Sequence, residues 1–289
     1  MRTVVLSAVL VCGLNAQAVA WGPEGHSVVA EVAQRRLSPQ AAQMVERLLG
    51  NGGSLAAVAS WADNMRVLRP STGNWHFVDI PIAVATYDAA RDCKANPKRG
   101  DCTVAELDRL RNELRCGKDE NAKIEALKFA VHFVGDIHQP LHTVAEAAGG
   151  NGIVVDVFMR GQKDCGGPCE LTHMTSNFHK AWDGDLINKM VWDWGAYVDR
   201  LEAGWLKSAD AKQEQDANGA TDHAAIVKWA EDTHKAAEKV WNLRPANSVL
   251  DDNYLNAVVP VLDRQLGIAG LRLARFLDQA YASQSCPVQ

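Results

Sequence analysis

Apolar residues recur at intervals of three and four positions along much of the chain, which is the spacing of the buried face of an amphipathic helix. Several segments share this pattern, which is clearest at residues 28–37, 41–49, 55–67 and 124–137. Ser38 and Pro39 are typical of the first turn of a helix, and Gly50 is typical of a helix end. The pattern therefore predicts a mainly helical fold.

A different pattern lies in the middle of the chain. The sequence Gly-Gly-Asn-Gly at 149–152 precedes a run of mostly β-branched and apolar residues at 153–158, and Gly-Gly-Pro follows at 166–168. An apolar run bounded by turn residues predicts a β-hairpin. We therefore expect an all-α domain with one small β-hairpin. The polar segment 207–222, by contrast, is expected to form an exposed loop.

Residues 1–20 have the features of a secretory signal peptide, which are a basic residue near the start, an apolar core and small residues before the end. Cleavage between Ala20 and Trp21 would release a domain of residues 21–289, secreted or periplasmic. A retained signal anchor is the alternative. No later segment has the roughly 20 uncharged apolar residues that a membrane helix needs. Without a Pro/Ser-rich linker or an internal repeat, we expect one domain. Its oligomeric state stays open, with a monomer as the default expectation.

The charge of the chain narrows the class of protein. The formal net charge of −5 argues against a broad basic surface that grips duplex nucleic acid by releasing counterions. A nucleic-acid substrate stays open, because bound metal ions would reverse the sign of the charge locally.

Six cysteines remain once Cys12 is removed with the signal peptide. An even number in an exported protein predicts disulfides, and zinc thiolates are the alternative. The spacing contains no Cys-x-x-Cys pair, which favours disulfides. Their connectivity stays open except for Cys165 and Cys169, which flank the Gly-Gly-Pro turn and are predicted to pair.

Histidine and aspartate recur together on the predicted helices. His132 and Asp136 are four residues apart, which places both side chains on one helix face. His179 and Asp183 repeat that interval. A proline ends the first of these helices and lets His142 turn back towards the pair. One such His-x-x-x-Asp sequence alone is usually a surface ion pair or a capped core histidine.

Four more residues complete a candidate metal-binding set: Trp21, His26, Asp63 and His76. Six of the nine histidines fall in these segments, amid apolar residues where uncompensated polar groups would be costly. Imidazole and carboxylate ligands without thiolate suit catalytic zinc sites, which leave positions open for water and substrate. Cleavage of the signal peptide would give Trp21 a free amine, so its nitrogen and carbonyl could chelate an ion together with His26.

These motifs resemble those of the zinc-dependent single-strand nucleases and 3′-nucleotidases of the mung bean nuclease type, a family related to zinc phospholipase C. The resemblance runs nearly from end to end and lies in the motifs at 21–26, 61–63, 75–79, 132–142, 149–151 and 177–183. It implies the multi-helix fold of that family. It also implies a secreted endonuclease that acts on single-stranded DNA, RNA and 3′-nucleotides.

The resemblance further implies three zinc ions. The first would be held by Asp63, His76, His132 and Asp136. The second would be held by His142, His179 and Asp183, and the third by Trp21, His26 and a shared Asp136. A hydroxide between two zinc ions bridged by Asp136 would attack phosphorus in line near neutral pH and leave a 5′-phosphate and a 3′-hydroxyl.

Substrate contacts are implied in the same way. Arg66, one helical turn after Asp63, would donate to phosphate oxygens. Phe77 would stack on the base of the scissile nucleotide, and Asp79 and Asn151 would bond its polar edge. Without the resemblance, the simpler interpretations are a solvated Arg66 and a core Phe77.

The remaining histidines are expected to stay outside the metal site. His138 is interpreted as structural or as a support for the ligands, and His173, His223 and His234 are not expected to bind metal. Two other functions stay open for the chain. One is a zinc phospholipase C that acts on phospholipid head groups, and the other is a noncatalytic zinc-binding secreted protein.

Overall fold

The computed structural model describes residues 21–160, 171–191, 193–217, 219–282 and 286. Helices supply most of its regular structure, as predicted: α1 (Pro23–Gln34), α2 (Pro39–Leu49), α3 (Leu55–Val58), α4 (Trp61–Leu68), α5 (Ala89–Asp92), α6 (Thr103–Cys116), α7 (Glu120–Asp136), α8 (Phe178–Lys180), α9 (Leu186–Met190), α10 (Trp194–Ala203), α11 (Ala209–Asp216), α12 (His223–Asn242) and α13 (Asp252–Ala282). The strands are β1 (Val154–Arg160), β2 (Leu171–Asn177) and β3 (Val249–Leu250).

The core is built around α7 and α13. Helix α13 is buried at every position from 265 to 274, and α1 packs along it. A Cβ atom on Gly270 would lie 2.4 Å from Val32 Cγ1, so only glycine permits this close approach. Helix α7 contacts α1, α4, α6 and α13, and its last eight residues, 129–136, are all buried. The histidine and aspartate of α7 therefore lie inside the protein.

The predicted helix boundaries are largely confirmed. Ser38 Oγ accepts a hydrogen bond from the Ala41 amide at 3.2 Å, and Gly50 follows α2 with φ of 88°. The segment predicted as one helix at 55–67 forms two helices, α3 and α4. The carbonyl oxygen of Ala59, at the break between the two helices, is buried and lies 2.7 Å from His132 Nδ1.

The predicted hairpin is confirmed, and it positions part of the site. Strands β1 and β2 pair antiparallel, from Val154 opposite Asn177 to Arg160 opposite Leu171. Strand β2 ends where α8 begins, so the sheet fixes the start of the helix that carries His179. Strand β3 pairs parallel with β1 and was not predicted, because two residues are too few for a periodic signal.

The prediction of an exposed loop at 207–222 is wrong for residues 209–216, which form α11. Ser208 caps this helix by accepting a hydrogen bond from the Ala211 amide at 3.1 Å. Glu214 lies 3.2 Å from Arg272 Nε and 2.8 Å from Arg275 Nη1. The helix is held to α13 by charges rather than by an apolar face, and this explains why its sequence shows no apolar stripe.

Two disulfides join described cysteines, Cys93 to Cys102 and Cys116 to Cys286. For these four residues disulfides are confirmed over zinc thiolates. The predicted pair of Cys165 and Cys169 lies outside the described residues, as do residues 1–20. Within the described part of the chain, no helix is long and apolar enough to cross a membrane.

Candidate metal centre

Asp136, at the end of α7, is the centre of a buried cluster. Its Oδ1 lies 3.3 Å from His26 Nε2, and its Oδ2 lies 3.1 Å from His76 Nδ1 and 3.2 Å from His132 Nε2. Asp63 Oδ1 completes the group at 3.7 Å from His76 Nδ1 and 3.6 Å from His132 Nε2. We call these five residues the first cluster.

His142, His179 and Asp183 form the second cluster. The Nε2 atoms of His142 and His179 are 3.0 Å apart. Asp183 Oδ1 lies 3.8 Å from His142 Nε2, and Asp183 Oδ2 lies 3.5 Å from His179 Nε2. His142 Nδ1 also lies 3.8 Å from Asp136 Oδ1, so the two clusters adjoin.

The local structure explains how these segments meet. Gly135 lets α1 approach α7, since a Cβ atom there would lie 2.8 Å from His26 Nδ1. After α7, Pro140–Thr143 forms a 3-10 turn that turns His142 back. Asp183 lies in a π-helical turn, Ala181–Asp185, rather than in the regular α-helix that was predicted. Such turns are frequent at functional sites.

Three histidines are oriented by backbone carbonyl groups. In each case Nδ1 lies 2.7 Å from a carbonyl oxygen: His132 on Ala59, His142 on His76, and His179 on Gly149. An Nδ1–H donor fixes the ring and leaves the lone pair of Nε2 for a metal ion. His76 is reversed, because its Nδ1 is the nitrogen that faces the cluster.

Burial and charge shift the titration of the first cluster. Burial alone would raise the pKa of Asp136, but the charge and hydrogen bond of His132, together with the adjacent imidazoles of His26 and His76, hold it well below its usual range. Burial lowers the pKa of His26 and of His76 to about 4. Burial opposes protonation of His132 as well, yet Asp136 and Asp63 raise its pKa to about 9.

The donor atoms fit metal ions. His26 Nε2, Asp63 Oδ1 and Asp136 Oδ1 are buried without a hydrogen-bond partner in the described structure, which costs about 1–3 kcal/mol for each such group. The two Nε2 lone pairs of the second cluster, 3.0 Å apart, would repel unless a cation or a proton lies between them. Three sets of ligand atoms lie within 4.8 Å of one another: His26, His132, Asp136; Asp63, His76, His132; and His142, His179, Asp183.

Arg66 and Trp21 lie beside the first cluster. Arg66 Nη1 is 3.6 Å from Asp63 Oδ1, and the arginine side chain is only 8% exposed. The exposure excludes the fully solvated arginine that the sequence alone allowed. The ring of Trp21 is buried, and its Nε1 donates to the Gly135 carbonyl at 2.9 Å. This bond fixes the side chain of Trp21 against the end of α7.

The three predicted base-binding residues lie on two segments near the clusters. Phe77 follows His76 and is half-buried, and its carbonyl oxygen accepts from the Thr103 amide at 3.1 Å. Asp79 is exposed by surface area, yet desolvation of its carboxyl group by the neighbouring protein, and then the Asp92 charge, raise its pKa to about 6. Asn151 donates to the Ala148 carbonyl at 2.8 Å. Among the described residues, no hydrogen bond or ion pair joins Asn151 to Phe77 or Asp79.

Other histidines lie outside the clusters. His138 bonds the Val134 carbonyl through Nδ1 and Arg272 through Nε2, in agreement with a structural interpretation. His223 pairs with Asp108 at the surface, and His234 Nδ1 bonds the Thr143 carbonyl. The side chain of His173 is outside the described structure.

Several supports of the candidate ligands were not predicted from the sequence, including two at the second cluster. The carbonyl of Gly149 orients His179, and the side chain of Gln139 donates to Asp183 Oδ1 at 2.5 Å. A backbone carbonyl carries no sequence signal. The position of Gln139, between two candidate segments and directly before a proline, could have indicated a role.

A buried centre of several histidines and aspartates in a helical fold is typical of metal-binding proteins. Comparison with known families shows which family the chain belongs to. The family model described as S1/P1 Nuclease matches residues 21–282. The chain therefore belongs to the S1/P1 nuclease family. This confirms the predicted resemblance and the predicted fold class.

Curated relatives extend over nearly the whole chain. Nuclease PA3 of a Penicillium species and Nuclease P1 of Penicillium citrinum are each 29% identical to it, and each alignment covers 91% of this chain and 99% of the relative. Endonuclease 5 of Arabidopsis thaliana is 26% identical, with 98% of each chain covered. All three are similar in length to this protein.

Proposed function

We propose that the protein is a zinc-dependent endonuclease that cleaves single-stranded DNA and RNA to 5′-phosphate products and also removes phosphate from 3′-nucleotides. The observation that carries the proposal is the convergence of two buried His/Asp clusters beside a shielded arginine in a chain of a nuclease family. The named relatives are nucleases or endonucleases, which supports this reaction class.

We assign the first zinc ion to Asp63, His76, His132 and Asp136, and the second to His142, His179 and Asp183. Trp21, His26 and Asp136 would hold a third. His132 also reaches the His26 group, so it is a candidate for either ion of the first cluster. The second assignment agrees with one complete set of close ligand atoms. The third requires a free amine on Trp21, and hence removal of residues 1–20.

Zinc at these positions would supply Lewis acidity, which activates water near neutral pH and neutralises charge on phosphate oxygens. The side chains of the protein would bind the substrate and position the charged groups around it. Asp136 lies between three imidazoles and sets the spacing of the centre. Arg66 can donate to a phosphate oxygen from a shielded position, where a charged hydrogen bond is strong.

Selectivity for single strands would come from the segments around Phe77 and Asn151. A stacked base contributes about 1–3 kcal/mol without reading sequence, and duplex DNA hides the faces of its bases. Phe77 would provide the stacking surface, with Asp79 and Asn151 bonding the base edge. If the 3′-oxygen is the leaving group at the scissile phosphate, the products carry a 5′-phosphate and a 3′-hydroxyl.

We further propose that residues 21–289 act as one exported, monomeric nuclease domain after cleavage between Ala20 and Trp21. The family match, which begins at Trp21, supports this boundary. N-terminal sequencing of exported protein and light scattering would test the boundary and the monomer.

The central experiment is digestion of single-stranded DNA, RNA, duplex DNA and a 3′-nucleotide by the mature protein, with chelator and with zinc restored. We expect 5′-phosphate products from single strands that disappear with chelator and return with zinc. Cleavage of phosphatidylcholine alone would instead indicate a phospholipase C. Zinc binding without hydrolysis of either substrate would indicate a noncatalytic zinc binder.

A further inference from the structure

Gln139 joins two segments of the second cluster. Its side chain is fully buried and makes two bonds: Nε2 donates to Asp183 Oδ1 at 2.5 Å, and Oε1 accepts from the Leu141 amide at 2.5 Å. Leu141 is the neighbour of His142 in the 3-10 turn. One amide group therefore holds both the turn that carries His142 and the carboxylate of Asp183.

The Asp183 carboxylate depends on this contact. Among the described residues, Gln139 is the one side chain or amide that donates a hydrogen bond to it. Asp183 is 4% exposed and lies in the π-helical turn Ala181–Asp185. The bond to Oδ1 turns Oδ2 towards His179 Nε2, 3.5 Å away.

The turn that carries His142 depends on Gln139 as well. Gln139 precedes Pro140 and caps the short turn through the Leu141 amide. His142 is then held from its other side by the His76 carbonyl, 2.7 Å from Nδ1. His142 thus has a backbone support of its own, and Gln139 is the side chain that links it to Asp183.

We propose that Gln139 is a positioning residue that fixes His142 and Asp183 relative to each other and so preorganises the second cluster for its metal ion. The identity of that ion as zinc rests on the proposed function. Partners in the shell around metal ligands typically change metal affinity by 10–100-fold when they are removed. Gln139 itself would touch neither the ion nor the substrate.

The test compares Gln139→Met, which keeps the size of the side chain but loses both bonds, with Gln265→Met. Gln265 is an equally buried glutamine that donates to the His138 carbonyl at 2.8 Å and to Thr233 Oγ1 at 3.2 Å, and among the described residues it makes no hydrogen bond to a candidate ligand. Bound zinc would be counted by mass spectrometry, and its release followed against a competing chelator. We expect one zinc ion of Gln139→Met to be released about 10–100-fold more easily, with the others retained.

Two readouts separate positioning from folding. The absorption of protein loaded with Co²⁺ should change in Gln139→Met and not in Gln265→Met, and excess zinc should restore its hydrolysis of single-stranded DNA. If Gln139→Met does not fold, Gln139→Glu, which keeps the acceptor for Leu141 but loses the donor to Asp183, should show the same loss of zinc. A folded Gln139 variant with the chelator resistance of the wild type would overturn the inference. Wild-type protein that binds no zinc would contradict the proposed function instead.

Discussion

Asp136 is the residue whose loss should damage the centre most, because three imidazole nitrogens lie within 3.3 Å of its carboxylate oxygens. We expect Asp136→Ala to bind less zinc and to lose hydrolysis by about 10³-fold or more, since a metal centre contributes several kcal/mol to the reaction. Zinc content and cleavage of single-stranded DNA would be measured together. Asp185→Asn is the control, because Asp185 is also buried but bonds Ser176 rather than a histidine. Full activity in folded Asp136→Ala would contradict the proposed centre.

If His132 and Asp136 bind zinc as proposed, we expect the binding to release protons. A pKa of about 9 means that His132 is protonated near pH 6 in the metal-free protein, whereas His26 and His76, with pKa values of about 4, are neutral. A ligand must lose its proton to bind zinc. Calorimetric titration with zinc near pH 6, in buffers of different ionisation enthalpy, should therefore show release of about one proton or more. Burial also raises the pKa of Asp183, which would add to the release.

The raised pKa of His132 also predicts how the stability of the metal-free protein changes with pH. Because the pKa of His132 in the folded protein is raised above 6.5, the charged pair stabilises the metal-free fold fully below about pH 6.5. This contribution is lost as the pH rises through about 9. If the calorimetric titration near pH 6 finds zinc binding without proton release, His132 is already neutral in the metal-free protein. Both expectations would then be contradicted.

Phe77 should affect the substrate and leave the metal in place. We expect Phe77→Ala to weaken binding of single-stranded DNA by about 1–3 kcal/mol, which is the range for one lost base stack. Phe77→Tyr keeps the ring and should bind like the wild type. Binding would be measured by fluorescence anisotropy in the presence of zinc, with zinc content determined on the same samples. Loss of zinc in Phe77→Ala would instead mark Phe77 as a core residue that supports His76.

At the scale of elements, the left-handed turn at 147–150 is under strain that can be tested. Ala147 and Ala148 have φ of 49° and 53°, and Gly149 has φ of 63°. A left-handed L-residue costs about 1–2 kcal/mol, and the entropy of an added glycine costs about 0.4–1 kcal/mol. Ala148→Gly should therefore raise the free energy of unfolding by up to about 1.6 kcal/mol, measured in urea, without loss of zinc.

Gly149→Ala should have the opposite effect. Its Cβ atom would lie 2.6 Å from the Leu141 carbonyl and 2.9 Å from His179 Nδ1, so the carbonyl that orients His179 must move. We expect weaker zinc binding in the second cluster. Gly152→Ala is the control, since its Cβ atom meets nothing closer than 3.4 Å. Equal zinc binding in both variants would show that the turn does not position His179.

The sequence predicted those elements that have a periodic apolar pattern. It failed where ion pairs or local helix geometry determine the structure instead. The buried faces of α1, α2 and α7 and the bounded run of β1 were visible as apolar patterns. Helix α11 was not, because Glu214 binds arginines on α13 that lie about 60 positions away in sequence. Likewise, the four-residue interval from His179 to Asp183 is the one expected in an α-helix, so spacing alone did not predict the π-helical turn.

At the scale of the whole molecule, the centre is assembled from distant parts of the chain. Its candidate ligand residues come from α1, α4, the segment after α4, α7, the 3-10 turn, α8 and the π-helical turn. Short motifs identified these residues, but membership of each cluster depends on packing. His132, for example, lies within reach of two ligand sets, which its spacing to Asp136 does not show. Supports such as Gln139 became visible only in three dimensions.

The two disulfides should have different consequences because they close loops of different length. Cys116 and Cys286 are 170 residues apart and join the end of α6 to the chain beyond α13. Cys93 and Cys102 are nine residues apart. If a disulfide acts mainly by restricting the unfolded chain, the longer loop gives the larger stabilisation, and losing a native disulfide typically costs about 2–5 kcal/mol. The double variant Cys116→Ser/Cys286→Ser should lose more stability than Cys93→Ser/Cys102→Ser.

Substrate binding should depend more on the short disulfide, Cys93–Cys102, than on the long one. The Asp79 amide bonds the Asp92 carbonyl, and the Phe77 carbonyl bonds the Thr103 amide, so both ends of the short loop hold the proposed base-binding segment. Loss of the short disulfide should raise KM for single-stranded DNA, whereas loss of the long one should leave KM unchanged at 25 °C. Urea unfolding and steady-state kinetics on the zinc-loaded proteins would measure both effects. If the short-loop variant kept its KM while losing as much stability as the other, neither loop length nor the contacts at Phe77 would explain the disulfides.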